Sequence, residues 1–85
     1  MRRTTKEQIK CEQFGERLKQ IQKEEDISNV LLAEWLCMQV SAISKWRCGK
    51  TYPLVSELIM LCETLQVSMD WLVLGKGEKK WKQQS

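Results

Sequence analysis

Between Gln39 and Lys50 the chain reads QVSAISKWRCGK, and most of its polar side chains are of two kinds. Ser41 and Ser44 are short hydroxyls that donate and accept hydrogen bonds. Lys45, Arg47 and Lys50 are cations that only donate. No acid interrupts the stretch. Such a set suits a partner rich in acceptors and negative charge, and it suits covalent chemistry poorly. Cys48 stands beside Arg47 and near Lys50, which favours a thiolate, but no base accompanies it and the chain has no histidine. Clustered carboxylates and a phosphate-cradling glycine loop are missing too, so an enzyme is not expected.

The elements that must position these groups read as helices throughout. A helix over 40–47, stopped by Gly49 and Pro53, turns Ile43 and Trp46 inward on a wheel of about 100° per residue. Gln39 and Arg47 flank that inward side, Ser41, Ser44, Lys45 and Cys48 face out, and Val40 lies at the edge. The preceding helix is capped by Ser28, with Leu31, Leu32, Trp35 and Leu36 as its apolar face. Only Cys37, Met38 and Gln39 link the two, which forces a steep crossing with Ala33 at the close approach and Ile43 filling the angle. Helix 1 has two possible starts, Thr5 with Gln8 or Thr4 with Glu7, and buries Phe14, Leu18 and Ile21. Gly15 counts against residues 5–12 belonging to that same helix. A fourth helix over 55–65 carries Val55, Leu58, Ile59, Cys62 and Leu65 at helical spacing. Ser68 caps a short fifth helix over 69–74, ended by Gly75. The expected fold is all-α: residues 14–75 as one compact five-helix domain, residues 1–13 as an arm or an extension of helix 1, and 76–85 as a basic, flexible tail.

Eighty-five residues make one small domain, and 42% hydrophobic with 29% charged residues makes it globular. The net charge of +3 is mild, but its distribution is uneven. Residues 53–74 hold acids and no cation, while 27–52 and 75–85 are net positive. Cys11, Cys37, Cys48 and Cys62 form no CxxC pair and read as reduced thiols in a reducing cytoplasm rather than as a zinc site or a disulfide framework. No secretory leader is expected, and no apolar run approaches the roughly 20 residues of a membrane span.

An outward face of this sort is ordinarily just solvated. Three features speak for more. The face is free of acids, its side chains are short enough for close approach, and the turn aims the positive end of the helix at whatever docks there. A B-DNA major groove asks this of a reading helix.

Residues 14–75 resemble the lambda-repressor-like, Cro/Xre class of helix-turn-helix domains. The resemblance rests on FGERLKQIQKEEDIS, LLAEWL, SAISKWRCGKTYP and LCETLQVSMDWLVLG in that order, and above all on Ala33, Ile43, Trp46, Gly49 and Pro53. It implies sequence-specific binding of double-stranded DNA by a transcriptional regulator, of repressor, phage or mobile-element type, acting as a homodimer on a palindromic operator. By the same resemblance Gln39, Val40, Ser41, Ser44 and Lys45 read bases, and Asn29, Lys50 and Thr51 hold phosphates. Cys37 stands where the family has a left-handed glycine, Gln39 where it has a serine or threonine cap, and Asn29 where it has glutamine. Arg47 replaces a glutamate that in the family pairs with a helix 1 arginine, matched here to Arg17. The expectation is that Arg47 turns instead to Glu16, Glu12 or a DNA phosphate. Met69, Leu72, Val73, Leu74 and Trp81 are candidates for self-association, with Trp71 and Leu72 better placed in the core. Arg2, Arg3 and Lys6 are candidates for a basic arm. No metal, cofactor or small-molecule ligand is expected. The alternatives are a protein-binding adaptor and an antitoxin-type autoregulator on the same scaffold.

Overall fold

The computed structural model describes residues 6–80, with side chains from residue 10 onward. The chain folds as α1 (Lys6–Glu25), α2 (Asn29–Leu36), α3 (Val40–Arg47), α4 (Val55–Leu65) and α5 (Asp70–Leu74), the last wound as a π-helical turn. Thr4, Thr5, Arg2, Arg3 and Trp81 lie outside the described residues, as does the side chain of Lys6.

α1 is a single helix that runs straight through Gly15, so residues 6–13 belong to it. The glycine is there for packing. A Cβ on Gly15 would lie 2.6 Å from the Arg47 carbonyl oxygen and 2.7 Å from that of Trp46. At Gly49 (φ +78) a Cβ would lie 2.9 Å from Glu12 Cγ. The C-terminal end of α3 is therefore seated on α1 at two positions that exclude a side chain.

The turn between α2 and α3 follows from local chemistry. The Leu31 N–H donates to Ser28 Oγ at 3.0 Å and so caps α2. Cys37 takes the left-handed conformation (φ 57, ψ 45), which closes α2 through Met38 N–H to the Ala33 carbonyl. Gln39 then starts α3 without a side-chain cap. Asp26 and Gln66 end α1 and α4 in the same left-handed way. Leu54 N–H donates to Glu57 Oε1 at 2.8 Å at the head of α4, and Trp71 N–H donates to Ser68 Oγ at 3.0 Å ahead of α5.

Phe14, Leu18 and Ile21 of α1 meet Leu32, Ala33 and Leu36 of α2, Ile43 and Trp46 of α3, and Leu61, Cys62, Leu65, Val67 and Leu72 of the C-terminal half in one core. Burial pushes the Cys62 thiol up to about 11. Leu32 and Leu36 of α2 and Cys62 and Leu65 of α4 are buried as expected, but the edges of both faces differ. Trp35 is exposed on α2, and Val55 and Ile59 are exposed on α4, where Leu61 points inward instead. The apolar stripe of α4 is broad, so its period alone leaves the inward edge open, and packing against α2 decides it.

Residues 76–80 dock rather than fray. Ser68 N–H donates to the Lys79 carbonyl at 2.8 Å, Ser68 Oγ donates to the Glu78 carbonyl at 2.6 Å, and Val67 and Lys80 form an antiparallel bridge. Lys79 pairs with Glu24, and Lys80 with Glu25 at 3.5 Å. Lys79 Nζ also lies 5.5 Å from the centre of the Trp71 ring.

Candidate nucleic-acid interface

The outward side of α3 is free. Ile43 (0% exposed) and Trp46 (3%) anchor the helix in the core, while Gln39, Val40, Ser41 and Lys45 are exposed and Ser44 is half-buried. Cys48 is exposed at the helix end, and Lys50 and Thr51 are exposed in the loop that follows. Neither Lys45 nor Lys50 enters an ion pair with any described residue. The Lys50 N–H donates to the Lys45 carbonyl at 2.9 Å, which folds the loop start back onto the last turn of α3, and both lysines are exposed.

Arg47 does not join Glu12 or Glu16. Its Nη1 donates to Gln22 Oε1 at 2.7 Å. Arg17, matched above to the family's helix 1 arginine, lies elsewhere. Its Nε donates to the Leu72 carbonyl and its Nη2 to the Val73 carbonyl, both at 2.8 Å, which closes the end of α5 onto α1. Gln22 is thus the residue on α1 that meets position 47, and where the resemblance leads one to expect an ion pair this chain has a guanidinium on an amide. Asn29, the first residue of α2, is half-buried and accepts from Gln22 Nε2 at 2.9 Å. The structure therefore brings Asn29 and Arg47 together around Gln22, while Lys45, Ser41 and Val40 form a separate group along α3. Sequence reasoning passed over Gln22. The available signal was a polar residue next to Ile21 and four positions after Leu18, at the edge of the apolar stripe.

Of the self-association candidates, Leu72 is core, Val73 is half-buried, and Met69 and Leu74 are exposed. Among the described residues no group of three or more metal-ligating side chains clusters, and no helix is long and apolar enough to cross a membrane.

Comparison with known proteins places this geometry. A family model described as helix-turn-helix matches residues 18–72. The chain is 34% identical over 64 residues to the HTH-type transcriptional activator BcrR of Enterococcus faecalis, covering 75% of this chain and 31% of that protein. A crystal structure of a transcriptional regulator from Listeria innocua superposes with a TM-score of 0.69 at 32% identity, covering 84% of this chain and 65% of that one. The chain spans about a third of the length of the curated relative and just under two thirds of the structural one. With its capped α2, left-handed turn and anchored α3, the chain belongs to the Cro/Xre-type helix-turn-helix family.

Proposed function

We propose that the chain binds duplex DNA sequence-selectively as the DNA-binding part of a transcriptional regulator. The observation that carries this reading is the outward side of α3, exposed and free of acids, on a helix anchored from behind by Ile43 and Trp46. α3 enters the major groove. Lys45 donates to guanine O6 and N7, Ser41 and Ser44 donate or accept at base edges, Gln39 hydrogen-bonds an adjacent base, and Val40 meets a thymine methyl. Asn29, Arg47, Lys50 and Thr51 hold phosphates and fix the register. One domain covers a half-site. Two copies, joined through the exposed Met69 and Leu74, place their reading helices one helical turn apart, roughly 34 Å, on a palindromic operator. Repression is the outcome taken from the family resemblance, and the Enterococcus relative is named an activator.

The test is selection of bound sequences from a random duplex pool, followed by titration against salt. The expected product is an inverted repeat bound with an affinity that falls steeply as salt rises. In Lys45→Ala, affinity should drop by about 1–3 kcal/mol with loss of preference at one base pair. A single unrepeated site would remove the dimer, and flat titrations at low ionic strength would favour the adaptor.

A further inference from the structure

Gln22 is, among the described residues, the one polar side chain in the core, 3% exposed. Its hydrogen bonds leave no freedom in how it is oriented. On one side stands Arg47, whose guanidinium can only donate, so the amide oxygen must face it. On the other stands the Ile27 carbonyl, which can only accept, so the amide nitrogen must face that, at 3.1 Å. The second hydrogen of Nε2 goes to Asn29, whose oxygen must therefore turn inward, at 2.9 Å. All of this side chain's hydrogens are used and its oxygen is engaged.

The outer ends of the two partners follow. Asn29 has its acceptor occupied and turns its NH2 group, two donors, away from Gln22. Arg47 has given one N–H to a neutral amide and keeps the rest of its fork. It is half-buried and forms no ion pair with a described residue. A partly desolvated guanidinium held by a neutral group alone favours an anion on its free side. The groove these residues border, between the end of α1, the start of α2 and the end of α3, also carries Lys23, Asp26 and Lys19, which pairs with Glu16 at 3.4 Å, and Glu12 and Glu16 border Arg47 on its other side.

We infer that Gln22 is a positioning residue for DNA-backbone phosphate: one buried amide locks Asn29 and Arg47, from two different helices, so that both present donors to the same anion. The inference rests on the DNA-binding reading and adds a residue that touches no DNA. The guanidinium supplies the charge, Asn29 supplies direction, and Gln22 keeps the two in register.

The test uses the selected duplex and three single variants. In Gln22→Glu the new carboxylate pairs with Arg47 and takes up its charge, and it can no longer donate to Asn29. Affinity should fall about tenfold or more, and the slope of log affinity against log salt should drop by about one. A merely structural role would leave that slope alone. Arg47→Gln should reproduce the slope change, while Asn29→Ala should weaken binding with the slope intact. Should Gln22→Glu fail to fold, Arg47→Gln and Asn29→Ala, at the half-exposed rim, carry the test. Wild-type affinity and slope in a folded Gln22→Glu variant, or in both rim variants, overturn the inference and leave the DNA reading standing. A wild-type protein that ignores duplex at low salt fails the DNA reading itself.

Discussion

The two ends of the structure hold similar numbers of cations and use them in opposite ways. At the tail end, Lys79 and Lys80 meet Glu24 and Glu25 at the end of α1. At the α3 end, Lys45 and Lys50 form no ion pair with a described residue, and Arg47 meets a neutral amide. By sequence the tail is the more basic of the two, since residues 75–85 hold four lysines against one glutamate. In the structure two of its three described lysines, Lys79 and Lys80, are engaged and Lys76 is exposed, while Lys45 and Lys50 of the middle segment are available. Net charge along a chain therefore says little about available charge. Where the acids of other elements land decides it: Glu24 and Glu25 meet the tail lysines, while Glu12 and Glu16 border the end of α3 beside Arg47 and Cys48.

Four substitutions test the two ends and the seat of α3 between them, in decreasing order of expected effect. Lys50→Ala should weaken binding to every duplex alike and lower the salt slope by about one, whereas Lys79→Ala should leave both unchanged. Equal losses in the two would erase the distinction between the ends, and a fluorescence titration at several salt concentrations reads both. Gly15→Ala comes next. The new methyl meets two backbone carbonyls that cannot swing aside, which costs about 1–3 kcal/mol of overpacking against a gain of about 1 kcal/mol in helix propensity. Thermal unfolding should show a net loss of stability. A variant as stable as wild type would mean that α3 is not seated on α1 as described. The smallest effect concerns Glu24, whose carboxyl is held below its usual range by the hydrogen bond from Lys79 and then by that from Gln20. Because its folded pKa is depressed, its contribution is present above about 4.5 and is lost as pH falls below that value. Glu24→Gln should therefore remove a small share of acid sensitivity, seen as a shallower drop in unfolding midpoint between neutral and acid pH.

Much of the fold was legible. The bounds of α2 and α3 follow from Ser28 and from Gly49 with Pro53, and those of α4 from its apolar spacing. The inward placement of Ile43 and Trp46 followed from spacing alone, because α3 has apolar residues on a narrow stripe. α4 has a broader stripe, taking in Val55, Leu58, Ile59, Leu61, Cys62 and Leu65, and the edge of it that faces inward is chosen by its neighbours. Gly15 was read as a helix weakener because propensity is local, whereas its reason is a carbonyl contact with residues more than thirty positions away. Gln22 was missed for a related cause. A buried amide gives no periodic signal, and its value appears only when Ile27, Asn29 and Arg47 stand around it. Cys37 shows the reverse case, since the family pattern asks for a left-handed turn and the cysteine adopts it at φ 57.

The seat under α3 is made of main chain. Gly15 rests on the carbonyls of Trp46 and Arg47, which any residue at those positions would supply, and the anchors Ile43 and Trp46 point away from the groove side. Ser41, Ser44 and Lys45 can therefore be exchanged without disturbing the support beneath them. A library randomised at those three positions should yield folded proteins at high frequency, and on the DNA-binding reading proposed above it is a starting point for retargeting to new sites.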